Sequence, residues 1–99
     1  MKRFKLSPEA AADIRNIWEF IAEDNVKAAR RVRIKIFDAC KRIAEYPGIG
    51  HRREDLTGKP VLFWPVNSYL IVYTTVRGSV EIVRVLHGAL DVSGILAGE

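Results

Sequence analysis

The stretch most informative about the fold runs from Val80 to Asp91 and reads VEIVRVLHGALD. Its first half is rich in β-branched residues, as is typical of a buried strand, and His87-Gly88 follows where the chain must turn. Arg84 interrupts the apolar run, and a core strand tolerates a guanidinium only if it is paired or if its head reaches a groove. The segment therefore predicts a core strand that ends in ionisable residues suited to chemistry or binding.

Side-chain alternation along this strand places Arg84 with Ile82 on one face and His87 with Val85 on the other. A face that combined Arg84 with the tyrosines of a neighbouring strand would suit a phosphate, a backbone or a peptide. The alternative for Arg84 is a structural ion pair. Its candidate partners are Glu81, Glu54 and Asp55. The corresponding alternative for His87 is a hydrogen bond to a loop carbonyl at the end of the strand.

Two further strands are predicted just before this one, at Val61–Val66 and Tyr69–Val76. The second is rich in β-branched and aromatic residues. Pro65 places the end of the first on a sheet edge or at a bulge. Because short turns at 67–68 and 77–79 join the three strands, they should form an antiparallel meander.

The N-terminal half predicts a short strand and a helical hairpin. Phe4 and Leu6 alternate with basic residues, Ser7 is a good N-cap, and Pro8 suits the first helical position. An apolar stripe at helical spacing follows. It comprises Ala10, Ile14, Ile17, Trp18 and Ile21. A second helix from about Val26 to Tyr46, after an N-cap at Asn25, then makes an antiparallel pair with the first.

The inner stripe of the second helix is also apolar and contains the single cysteine. It comprises Ala29, Val32, Ile36, Ala39, Cys40 and Ile43. Cys40 is therefore expected to be a small buried hydrophobe. Two histidines and one cysteine far apart in sequence match no metal-ligand spacing, so we expect no metal and no cofactor.

These elements together predict an α+β fold with an N-terminal strand and a helical hairpin packed on a small antiparallel sheet. Residues 1–99 are expected to form one domain, since the chain is too short for a second core. No apolar run is long enough to span a bilayer. We therefore expect a cytoplasmic protein that does not associate with membranes.

Charge is distributed unevenly along the two predicted helices, within a net charge of +4. Residues 26–45 hold seven Lys and Arg against two carboxylates, whereas residues 7–25 hold five carboxylates against one arginine. One interpretation is pairing between neighbouring helices. The other is a basic surface for an acidic partner or for nucleic acid. Ile34 and Phe37, which fall off the inner stripe, suggest a partner on their side of the helix or packing against the first helix.

Five short motifs, in their order and spacing, make the whole chain similar to the ParE branch of the RelE/ParE toxin superfamily. These are the toxins of bacterial type II toxin–antitoxin systems. The motifs are LSPEA (6–10), YPGIG (46–50), RREDL (52–56), YLIVY (69–73) and IVRVLHGA (82–89), and the last is the most specific. Asp13, Ile14 and Asp91 add to the resemblance. Leu90 departs from it, because the family usually has arginine at that position.

The resemblance implies a toxin that inhibits DNA gyrase, blocks replication and arrests growth. It also implies neutralisation by a ParD-like antitoxin whose C-terminal segment wraps the toxin as helix and strand. The residues expected to contact the antitoxin or the target are Arg30, Arg33, Phe37, Arg52, Arg53, Arg84 and His87. We expect no sequence-specific DNA binding by this chain alone, since operator binding resembles a task of the antitoxin.

RelE-like relatives instead cut messenger RNA on the ribosome, which needs an acid, a base and cations around the phosphate. Arg53, Arg84 and His87 would be the catalytic candidates for such a reaction. The chain has no tyrosine after residue 73 and no lysine after residue 59, so a non-enzymatic gyrase inhibitor is favoured. Leu90 keeps a third possibility open, a diverged and inactive toxin.

Overall fold

The computed structural model describes residues 3–98, whose four strands form a single mixed sheet in the order β1-β4-β3-β2. The strands are β1 (Phe4–Leu6), β2 (Leu62–Val66), β3 (Tyr69–Val76) and β4 (Ser79–His87). The helices are α1 (Pro8–Ala22), α2 (Val26–Glu45) and α3 (Val92–Ala97), with a short 3-10 helix at Pro47–Ile49. The predicted α+β class and the meander are confirmed. The sheet is mixed because β1 pairs parallel to β4.

The helical hairpin begins at the predicted caps. The Ser7 hydroxyl accepts a hydrogen bond from the Ala10 N–H at 3.0 Å, and the Asn25 side chain accepts one from the Ala28 N–H at 3.0 Å. Each cap satisfies an N–H group that the helix itself leaves unpaired. The two apolar stripes then pack against one face of the sheet. The fully buried contributors to this core include Ala10, Ile36, Cys40, Ile43, Ile71, Tyr73 and Ile82.

A bulge in β4 changes which side chains share a face. Tyr73 lies opposite Ile82 but Val72 lies opposite Arg84, so Val83 is an extra residue between the two pairs. A bulge of this kind shifts the alternation by one residue. Val85 consequently joins Ile82 in the core under the hairpin. The prediction that Ile82 and Val85 lie on opposite faces is therefore wrong.

A second core, which the sequence did not predict, covers the other face of the sheet. It contains Val61, Phe63, Val72, Leu86, Val92 and Leu96. The last two belong to α3, a six-residue helix that Asp91 caps by accepting a hydrogen bond from the Gly94 N–H at 3.0 Å. Lys59 Nζ donates to the Leu96 carbonyl at 2.7 Å and holds the end of α3 against the sheet. The sheet is thus covered on both faces.

A buried tyrosine fixes the turn after α2. The Tyr73 hydroxyl donates to the Pro47 carbonyl at 2.7 Å and accepts from the Gly50 N–H at 2.8 Å. Burial raises the pKa of Tyr73, so the hydroxyl stays neutral and can donate. A Cβ on Gly50 would lie 2.5 Å from the Tyr73 oxygen, so this close approach requires glycine. The turn leads into His51, whose backbone pairs with Phe63 on the outer edge of β2.

No helix within residues 3–98 is both long enough and apolar enough to cross a membrane.

We predict that Tyr73→Phe lowers the free energy of unfolding by about 1–3 kcal/mol, because it leaves the Gly50 N–H and the Pro47 carbonyl without their partner. Urea denaturation of the purified chain measures the change. Tyr69→Phe is the matched control, since it removes a hydroxyl from the same strand at a half-buried position. Equal losses for the two variants would show that the Tyr73 hydrogen bonds contribute no specific stability.

Candidate binding site

Arg84 forms an ion pair with Asp13 in the first half of α1. Its Nε lies 2.7 Å from Asp13 Oδ2 and its Nη2 lies 2.9 Å from Oδ1, so the contact is bidentate. Both side chains are largely buried, with 18% and 13% of their surfaces exposed. Arg84 therefore forms a structural ion pair, which was one of the two interpretations of the sequence. Its partner in this pair is Asp13, and not one of the expected residues Glu81, Glu54 and Asp55.

The position of Asp13 follows from the unequal lengths of the two outer strands. β1 has three residues and ends opposite Ile82, whereas β4 continues to His87. The Ser7 hydroxyl donates to the Val83 carbonyl at 2.7 Å, and Asp13 Oδ2 accepts from the Val85 N–H at 2.9 Å. The side chains of Ser7, the N-cap of α1, and of Asp13 in α1 therefore satisfy backbone groups of β4 where β1 has ended, and Arg84 is the second partner of the Asp13 carboxylate.

Arg52 and Arg53 lie in the exposed loop that follows His51 on the opposite edge of the sheet. Arg53 forms an exposed bidentate pair with Asp55, with Nε–Oδ1 and Nη2–Oδ2 distances of 3.0 and 2.9 Å. The hydrogen bond between them raises the pKa of Arg53 and lowers that of Asp55. His51 pairs on the outer side of β2, and β2 lies two strands from β4, so three strand-to-strand steps, or about 14 Å at about 4.8 Å a step, separate the His51 backbone from β4.

His87 ends β4 at an exposed position opposite Tyr69, and the ring centroids of the two residues are 5.3 Å apart in an edge-to-face contact. Its Nδ1 accepts a hydrogen bond from the Ala89 N–H at 3.0 Å. His87 was expected to donate a hydrogen bond to a loop carbonyl. In the structure its ring instead accepts one from the backbone N–H of Ala89. Leu90 follows with 53% of its surface exposed, so the fold itself leaves room for other side chains there.

Arg53 is consequently not brought together with the other two nuclease candidates, Arg84 and His87, which lie three residues apart in β4. The Arg84 guanidinium is held by Asp13, Arg53 lies at the far edge with Asp55, and His87 stands at the end of β4. Cys40 offers no nucleophile, because burial raises the pKa of its thiol to about 12 and leaves it fully covered. Within residues 3–98 no three His, Cys, Asp or Glu side chains are grouped so that they could hold a metal ion.

A different set of predicted residues does come together, in a groove between the two long helices. We define the hairpin groove by three apolar residues, Trp18, Ile34 and Phe37, and three basic ones, Arg30, Arg33 and Lys41. Its volume is about 590 Å³, Asp38 also lines it, and a neighbouring cleft of about 360 Å³ continues it towards Leu6 of β1.

The groove keeps its apolar side chains accessible. Ile34 has 53% of its surface exposed, and the Phe37 ring lies 6.4 Å from that of Phe4, with the Arg33 guanidinium 5.9 Å from its centroid. Trp18, expected in the core, is only half-buried and lines both cavities. The sequence signal for its role was its position at the edge of the α1 stripe, next to Arg15 and Glu19.

Comparison with known proteins agrees with this geometry. The family model for the ParE toxin of the type II toxin–antitoxin system parDE matches residues 4–92. The chain therefore belongs to the ParE toxin family. Its structure is similar to a chain described as "Chromosomal ParDE TA system from P. aeruginosa", with a TM-score of 0.73 and 17% sequence identity. That match covers 88% of this chain and 96% of the other. No curated protein matches the sequence.

We predict that Asp13→Ala lowers the free energy of unfolding by about 3 kcal/mol, because it leaves a largely buried guanidinium and the Val85 N–H unpaired. Asp13→Asn should cost less, since the amide oxygen can still accept from Val85. Urea denaturation measures both changes.

The control for this prediction is Asp55→Ala, which breaks the exposed pair with Arg53 and should change stability by less than about 1 kcal/mol. If Asp55→Ala cost as much as Asp13→Ala, the difference in burial between the two pairs would not govern their contributions.

Proposed function

We propose that this chain is a toxin that arrests growth by binding and inhibiting DNA gyrase, and that a ParD-like antitoxin neutralises it through the hairpin groove. Membership of the ParE toxin family supports the toxin class. The observation that carries the proposal is the use of Arg84 by the fold. Its guanidinium forms a bidentate pair with Asp13 and helps to complete the edge of β4, which supports a structural role for it in place of a catalytic one.

The separation of the other candidates supports the same conclusion. Cleavage at a ribose phosphate needs cations close to the general acid or base, since charge develops on the phosphorane oxygens. His87 lies at the end of β4, whereas Arg53 is paired with Asp55 beyond the opposite edge of the sheet. Inhibition by binding requires a stable surface and no such constellation, which is what this arrangement favours.

The chemistry of the hairpin groove supports an acidic amphipathic segment as its occupant. Trp18, Ile34 and Phe37 offer an apolar strip, and Arg30, Arg33 and Lys41 surround it with positive charge. An amphipathic helix binds such a groove through its apolar face while its carboxylates meet the basic rim. The structural similarity to a ParDE system supports a ParD-like antitoxin as the source of that segment.

We expect the purified chain to inhibit DNA supercoiling by gyrase, and His87→Ala to inhibit equally, because no proton transfer is involved. The complementary measurement is induced expression without antitoxin, following DNA and protein synthesis separately. DNA synthesis should stop first. Early arrest of translation with cleaved messages, abolished in His87→Ala, would make the chain a ribosome-dependent nuclease. Unimpaired growth would identify an inactive toxin.

We expect Ile34→Gln to weaken antitoxin binding about tenfold, because an exposed apolar contact in the groove is worth about 1–2 kcal/mol when a partner covers it. Isothermal titration of the chain with its antitoxin measures the affinity. Val76→Gln is the matched control, since Val76 is equally exposed, at 56%, but lies at the turn between β3 and β4. Equal effects of the two variants would place the antitoxin elsewhere.

A further inference from the structure

The cations of α2 lie on two flanks of the helix, and only one flank borders the hairpin groove. The outer stripe is defined by four residues, Lys27, Arg31, Lys35 and Arg42, none of which lines the groove. They recur after four, four and seven residues. At about 100° per residue they fall within an arc of about 80°, on the side of the helix away from Arg33 and Phe37.

The cations of α2 are exposed and have no ionic partner within residues 3–98. The helix carries seven Lys and Arg, all exposed, and none of them forms an ion pair with another described residue. The pairing between neighbouring helices that the charge pattern suggested is therefore wrong for this part of the chain, although α1 carries Glu19 and Glu23. Like charges four residues apart destabilise a helix. Lys27, Arg31 and Lys35 follow one another at this spacing. Asp38 and Glu45 lie in the same arc and offset part of the charge, so the stripe keeps a net positive charge that a polyanion would neutralise.

We propose that the outer stripe binds the phosphate backbone of duplex DNA without regard to sequence. The stripe presents cations without large exposed apolar or aromatic side chains among them. An acidic peptide or a membrane surface would need such apolar anchors, and a single strand would need aromatic rings for base stacking. Duplex RNA is recognised largely through its 2′-hydroxyls, and α2 contains no Ser, Thr, Asn or Gln.

The geometry of the stripe fits this partner. Lys27 and Arg42 are fifteen residues apart, which is about 22 Å along a helix that rises about 1.5 Å per residue. Duplex DNA carries one negative charge per about 1.7 Å of its axis, so each of the four cations can meet a phosphate along this length. Lysine and arginine at phosphates position a protein but read no bases, which agrees with the absence of sequence-specific binding expected from the sequence.

This binding is separate from both the antitoxin site and gyrase inhibition, and it is tested without either partner. Retardation of a 30-base-pair duplex DNA by the full chain measures binding at salt concentrations from 50 to 200 mM. Four phosphate contacts give a slope of log K against log salt of about −3.6, or a loss of affinity of about 150-fold over this range. The double variant Arg31→Gln/Lys35→Gln should halve the slope. Glutamine preserves the helix, since its propensity is close to that of arginine and lysine.

The charge-matched control is Lys5→Gln/Arg77→Gln, which removes two exposed cations outside α2 and should leave the slope unchanged. An equal change in both double variants would show that net charge, and not the stripe, drives binding. Tighter retardation of an RNA duplex of the same sequence, or competition by poly-glutamate at equal charge, would assign the stripe to another polyanion. No retardation at 50 mM salt would overturn the proposal.

Discussion

The carboxylate of Asp13 is the contact on which the arrangement of the two layers depends. It accepts hydrogen bonds from the Arg84 guanidinium and from the Val85 backbone, so α1 is fixed to the edge of β4 at the point where β1 has already ended. A strand edge with unpaired groups is a site for unwanted pairing with other chains. Here α1 covers that edge with side chains, and the same contact sets where α2 and the hairpin groove lie.

The residues that hold the fold together are therefore separate from the residues that are accessible for binding. The most specific sequence motif, around Arg84, is largely occupied with holding the sheet and the hairpin together. One accessible surface belongs to α2. Its inner stripe is buried, while its flanks carry accessible apolar residues and cations that form no ion pair within residues 3–98. In a protein that acts by binding, a rigid core beneath a charged helix is sufficient, because the surface needs to be presented and need not rearrange.

Local features of the fold could be predicted from the sequence, and features that depend on distant contacts could not. Ser7 and Asn25 act within three residues of themselves, and the meander follows from its two short turns. The partner of Arg84 lies 71 residues away, and nothing in the strand itself distinguishes Asp13 from nearer carboxylates. The bulge at Val83 could not be predicted from a period-two pattern, because that pattern assumes regular alternation along the strand. The α3 helix could not be predicted from periodicity, because six residues are too few to show a helical repeat. The usable signal was an N-cap residue, Asp91, followed by apolar residues at helical spacing, Val92, Ile95 and Leu96.

The parallel pairing of β1 with β4 has a consequence for the timing of folding during synthesis. Phe4 pairs with Val80, so β1 cannot complete its pairing until β4, the last of the four strands, has been made. At about 5–20 residues per second, that interval lasts about 4–15 s on the ribosome. The second face of the sheet stays uncovered for longer still, until α3 is made. The sheet and its two cores can therefore form completely only after β4 and α3 have both left the ribosome.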